Sequence, residues 1–139
     1  MPRLLAIDYG AKRSGIAVTD PLKIIATALD TIPTHALPEF LRKYLQAEEV
    51  EAFVVGMPKK LDNSDSENAV RVSAFVKTLQ KNFPQIPVHL HDERFTSSMA
   101  LQSMIAAGSK KRDRRDKGNI DKVSATIILQ SFMESRGNL

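Results

Sequence analysis

Apolar and polar positions alternate along the chain with periods that divide it into strands and helices. Leu4 to Ile7 and Ile16 to Val18 are aliphatic runs of strand length, joined by a turn bounded by Gly10 and Gly15. Ile24 to Thr31 alternates loosely and stops at Pro33, which predicts a third strand antiparallel to the second. Leu37, Leu41, Tyr44 and Leu45 share one face of a helix that begins near Pro38. Ala52 to Gly56 reads as a short buried strand closed by Met57-Pro58. Ser64 and Glu67 have capping-box spacing. The helix they would start buries Val72, Phe75, Val76, Leu79 and Phe83 before Pro84 and Pro87 stop it. Val88 to Glu93 predicts a fifth strand, and Thr96 or Ser97 can cap a third helix using Leu101, Met104 and Ile105 and ending at Gly108. A last helix starts near Asn119 and carries Ile120, Val123, Ile127, Ile128 and Phe132.

Three strands followed by helix, strand, helix, strand, helix, helix predict an α/β fold. Its core is a mixed five-stranded sheet with helices on both faces and the first strand near its centre. Sites in such sheets gather beyond the carboxyl ends of the parallel strands, so Asp8, Gly56 and Asp92-Glu93 should converge. A length of 139 residues suits one domain, 1–139, around one core.

Composition narrows the chemistry. There is no cysteine, which excludes disulfide frameworks, thiolate metal sites and thiol nucleophiles. Met1-Pro2-Arg3 leads straight into a strand without the apolar stretch of a signal peptide, and no run approaches a membrane span. The expectation is a soluble cytoplasmic protein with no membrane partner. The net charge of +4 is concentrated: Ser109 to Gly118 holds six basic and two acidic residues, and the rest of the chain is balanced. Lys110, Lys111, Arg112, Arg114 and Arg115 in this block point to a polyanion, with nucleic acid first. A solvated loop that serves solubility is the other reading of the same block.

Asp8 is the first catalytic candidate. It ends an aliphatic strand, where a carboxylate is costly unless hydrogen bonds, a basic group or a metal ion offset its charge. Its alternative role is to accept hydrogen bonds from the turn that follows. Glu93, after the fifth strand, and Asp121, in the first turn of the last helix, are the acids that could meet it. Asp121 could equally serve the helix dipole. Three carboxylates around one point call for divalent cations between them, and oxygen donors suit Mg²⁺ or Mn²⁺. Two such ions can activate a water against a phosphodiester. Lys12, Arg13 and Arg94 could hold backbone phosphates. His89, His91 and Glu93 share strand parity, but the remaining histidine, His35, is far along the chain, and a zinc site needs three or four ligands.

Four blocks resemble the YqgF family of bacterial RNase H-like proteins. They are Leu5-Ala6-Ile7-Asp8-Tyr9-Gly10 with Lys12-Arg13 and Gly15; Val54-Val55-Gly56-Met57-Pro58; Asp92-Glu93-Arg94-Phe95-Thr96-Ser97; and Lys117-Gly118-Asn119-Ile120-Asp121-Lys122 with Ser124-Ala125. The resemblance implies an RNase H-like fold. It also implies metal-dependent nuclease activity at the 5′ end of pre-16S ribosomal RNA or on Holliday junctions, with Asp8, Glu93 and Asp121 as catalytic, metal-binding acids. Arg94 and Thr96 would support them. Related junction resolvases use a fourth acid, for which Asp116 is the extra candidate. Lys59 to Ser66 departs from the glycine-containing loop of relatives, and Ser124 stands where alanine is common.

The leading expectation is a divalent-metal-dependent nuclease acting on pre-rRNA or on branched DNA. A junction resolvase would need a symmetric dimer, so monomer and homodimer both stay open. The alternative class is a non-catalytic RNA-binding factor for ribosome assembly or transcription. The Asp-x-Gly turn also resembles the phosphate loop of sugar kinases and actin, but that superfamily closes two such domains over ATP and this length provides one.

Overall fold

A computed structural model describes residues 2–23, 25–57, 67–92 and 117–135, with the backbone alone for 67, 68, 92, 117–123, 134 and 135. The expected third helix, residues 109–116 of the basic block, the loop at Ser64, Glu93 and Arg94 lie outside the described residues. The strands are β1 (Arg3–Asp8), β2 (Arg13–Thr19), β3 (Ala26–Pro33), β4 (Val50–Met57) and β5 (Val88–Asp92). The helices are α1 (Leu37–Ala47), preceded by a short 3₁₀ turn at Thr34–Ala36, α2 (Glu67–Asn82) and α3 (Lys117–Ser135). The sheet order is β3-β2-β1-β4-β5, with β1, β4 and β5 parallel and the β1-β2-β3 meander antiparallel. The mixed five-stranded sheet with a central first strand is therefore present as expected.

Strand alternation sorts the core into two layers. Leu5, Ile7, Phe53 and Val55 pack with Leu37 and Leu41 of α1 and with Val72, Phe75, Val76 and Leu79 of α2. Leu4, Ala6, Ala17, Ala26, Ala52 and Val54 pack on the other face against Ala125, Ile128, Leu129, Phe132 and Met133 of α3. The five apolar positions expected to face inward on and after α2 (Val72, Phe75, Val76, Leu79, Phe83) are all buried. On α1, Leu37 and Leu41 are buried, while Tyr44 and Leu45 pack half-buried at the margin. The α3 face is lined by small residues, so that helix lies low on the sheet.

β2 and β4 run longer than expected, as Arg13–Thr19 and Val50–Met57, and two further boundaries differ for local reasons. The third strand begins at Ala26 rather than Ile24, because Asp20 builds a turn first. Its carboxylate accepts the N–H groups of Leu22 and Ile25 at 3.2 and 2.8 Å, and Lys23 adopts a left-handed φ of 58°. The last helix begins at Lys117 rather than near Asn119, which moves Asp121 out of the first turn. The dipole reading of Asp121 weakens accordingly, since that effect fades within one turn.

Ser124 is the polar exception in the α3 layer. It is 1% exposed, and its Oγ has no hydrogen-bond partner among the described residues. Ser124→Ala removes an unpaid desolvation, so it should raise unfolding free energy by about 1 kcal/mol in urea melts. Ala6→Leu should do the opposite, costing about 1–3 kcal/mol by overpacking the layer beneath α3.

Candidate active site

The carboxyl ends of the three parallel strands lie level. Ile7 pairs with Val55, and Gly56 with His91, so Asp8, Gly56 and His91 fall in one row across β1, β4 and β5. On the other side Asp8 is opposite Gly15 of β2. Asp8 shares the parity of Leu4 and Ala6 and thus belongs to the face covered by α3. It is half-buried, at the point where the aliphatic strand reaches the edge of the core. The residues level with it on the neighbouring strands, Gly15 and Gly56, are both glycines.

The turn after Asp8 is held by two hydroxyls, the buried one of Ser14 and the half-buried one of Thr34. Gly10 N–H donates to Ser14 Oγ at 3.3 Å, and Thr34 Oγ1 donates to the Gly10 carbonyl at 2.6 Å. The two hydroxyls are 2.8 Å apart. A carbonyl only accepts, so the Thr34 proton is committed to Gly10, and Ser14 must donate to Thr34. The result is a closed ring with one proton direction, starting and ending at Gly10. Thr34 N–H also donates to the Lys12 carbonyl at 2.9 Å, which ties the turn to the end of β3. Gly10 itself admits no side chain, because a Cβ there would meet the Arg13 carbonyl oxygen at 2.3 Å. Lys12 and Arg13 stand exposed on this fixed turn.

The face that carries Asp8 is shared by both strand histidines. His91 Nε2 lies 2.8 Å from Ser131 Oγ of α3, and the rings of His89 and His91 lie 5.3 and 6.2 Å from Phe132. Both are half-buried strand residues that join β5 to α3. Among the described residues no three histidine or carboxylate side chains gather to hold a metal ion.

Of the residues singled out from sequence, Asp8, Lys12 and Arg13 come together at the end of β1. Asp121 lies on the backbone of the helix that covers their face. Glu93 and Arg94, with Lys110, Lys111, Arg112, Arg114, Arg115 and Asp116, lie outside the described residues. Ser14 and Thr34 went unnoticed in the sequence; they are far apart in the chain, and only the pairing of β2 with β3 brings them together.

The chain matches the family model described as RuvX: Holliday junction resolvase over residues 2–135. A relative from Phocaeicola vulgatus, named "Putative pre-16S rRNA nuclease", is 54% identical over 136 residues, covering 98% of each chain. Among solved structures, T. thermophilus RuvC in complex with a Holliday junction superposes with a TM-score of 0.58 at 15% identity, covering 99% of this chain and 97% of that one. Fowlpox virus resolvase with its junction DNA gives 0.58 at 12% identity, covering 96% and 98%. At those identities the likeness is one of fold, and the fold is RNase H-like.

Replacing Ser14 by alanine breaks the ring and leaves the Gly10 N–H without its acceptor. The expected loss is about 1–3 kcal/mol of stability, read as a lower urea midpoint. Gly10→Ala should cost more than Ser14→Ala, since backbone rather than a side chain must move.

Proposed function

We propose that this chain, which belongs to the RuvX family of Holliday junction resolvases, is a divalent-metal-dependent nuclease that trims the 5′ end of pre-16S ribosomal RNA in the cytoplasm. The observation that carries the reading is Asp8. It is the one carboxylate on the central strand, half-buried at the strand's carboxyl end, between glycines and beside a rigid basic turn. The substrate class rests on the relative named for pre-16S rRNA at 54% identity over nearly the whole length.

Asp8, Glu93 and Asp121 are the acids of this site. All three offer oxygen donors, which fits hard ions such as Mg²⁺ or Mn²⁺. When bound there, one or two such ions supply an activated water and charge stabilisation at the leaving oxygen of the phosphodiester. The chain does the positioning. The hydroxyl ring fixes the turn after Asp8, and Lys12, Arg13 and Arg94 hold phosphates on either side of the scissile bond. Lys110, Lys111, Arg112, Arg114 and Arg115 extend the electrostatic footprint, so binding should weaken steeply with salt.

Four-way DNA junctions are the second reading, favoured by the description of the matching family. Two symmetric cuts need a two-fold dimer. A protein that stays strictly monomeric on junction DNA in light scattering would remove that reading.

The decisive assay is cleavage of an end-labelled RNA spanning the 5′ end of 16S rRNA, with Mn²⁺ and with chelator. Wild type should cut only with the ion. Asp8→Asn should lower the rate about a thousandfold or more, the equivalent of several kcal/mol of lost transition-state stabilisation. Intact RNA that both proteins still bind would instead favour the non-catalytic RNA-binding factor.

A further inference from the structure

We infer that a cleft on the α1–α2 side of the sheet binds an unpaired nucleotide of the strand whose backbone is presented to Asp8. The inference rests on the nuclease reading for the identity of that strand. The cleft itself is a feature of the described residues. It is an open depression of about 500 Å³ between the turn after β1, the 3₁₀ turn before α1 and one side of α2. That is within the range of small-ligand sites and large enough for a base with its sugar and phosphate.

The lining has the chemistry of a nucleotide. Tyr9 and Phe75 form an aromatic base, their rings stacked at 4.6 Å and 28°. Arg71 and His35 add basic groups from α2 and the 3₁₀ turn, both exposed to solvent. No carboxylate lines the cleft among the described residues. Aromatic rings flanked by cations and free of acids suit a π-face joined to a phosphate, and they tolerate any base. A base reaches a concave site of this kind only when it has left a duplex.

Strand alternation links the cleft to the catalytic edge. Asp8 belongs to the face of α3, while Tyr9, the next residue, packs with the layer under α1 and α2. Their Cα atoms are about 3.8 Å apart. A single strand crossing the end of β1 can therefore offer a phosphate to one face and a neighbouring base to the other. The hydroxyl ring holds this crossing in shape, because Thr34 both closes the ring and lines the cleft. The site would favour substrates with an unpaired extension beside the cut over fully paired ones.

The test compares two fluorescent RNA hairpins, one blunt and one with a short unpaired 5′ oligouridylate, bound by the full chain in chelator. Anisotropy gives the ratio of their affinities, which requires no cleavage. Wild type should prefer the extended hairpin by about tenfold. Arg71→Glu, which reverses the charge of the wall, and Thr78→Leu, which fills part of the cleft with an aliphatic side chain, should each bring the ratio close to one. Both positions are exposed on α2, and melting temperatures check that the variants fold. No preference in wild type, or an unchanged ratio in both folded variants, would overturn the inference. If the ratio falls in the variants but wild type cuts no RNA with Mn²⁺, the cleft stands and the nuclease reading fails. If wild type cuts and the ratio does not fall, the cleft fails alone.

Discussion

Burial of β1 on both faces is the constraint from which the rest of the architecture follows. Leu4, Leu5, Ala6 and Ile7 are all fully buried, so apolar layers must cover this strand from both sides. Each fully buried large aliphatic side chain is worth about 1.5–3 kcal/mol, enough to fix the strand at the centre of the sheet. α1 and α2 supply one layer and α3 the other. The first polar side chain after such a strand arrives at the edge of the core, where full hydration is lost but ligands can approach. Asp8 occupies that position.

Hydroxyls tie both ends of the sheet, and at the end away from the site the fully buried Thr19 Oγ1 accepts the Leu4 N–H at 2.9 Å. At the amino-terminal end, Arg3 pairs with Glu48 at 3.2 Å and Lys23 with Glu51 at 3.0 Å, all partly exposed. Pairs of that kind contribute about 0–1 kcal/mol. Near Asp8 the work is done by uncharged groups that water cannot replace: Ser14 is fully buried, and its hydroxyl both accepts from Gly10 and donates to Thr34. Removing a partner from such a ring strands a buried donor, which costs more than losing a surface ion pair. Lys12 and Arg13 can therefore be exposed and yet hold a defined place relative to Asp8.

Apolar periodicity made the architecture legible in the sequence. The period of two in the strands and the i, i+3, i+4 spacing of Val72, Phe75, Val76 and Leu79 follow directly from backbone geometry. Asp8 could be singled out because one carboxylate after an aliphatic run needs a reason to be there. The hydroxyl ring was hidden, since nothing local in Ser14 or Thr34 says that they will meet across β2 and β3. The true start of β3 was hidden by Ile25, whose apolar character resembles strand although its N–H is held by the Asp20 carboxylate. At α3 the helix starts two residues before Asn119 and takes Gly118, a poor helix residue, into its first turn.

The two faces of the sheet differ in side-chain size, and this difference bears on where chemistry can occur. Under α1 and α2 the layer is built from Leu, Ile, Phe and Val, and its outer margin is aromatic at Tyr9 and Phe75. Under α3 the strands contribute Ala6, Ala17, Ala26 and Ala52, and Gly15 and Gly56 continue the run of small residues to the level of Asp8. A helix can approach an alanine-lined sheet closely. Larger residues on this face would add burial while lifting α3 away from the row of Asp8, Gly56 and His91. In this layer, small size gives up some hydrophobic stabilisation in return for close approach of the helix.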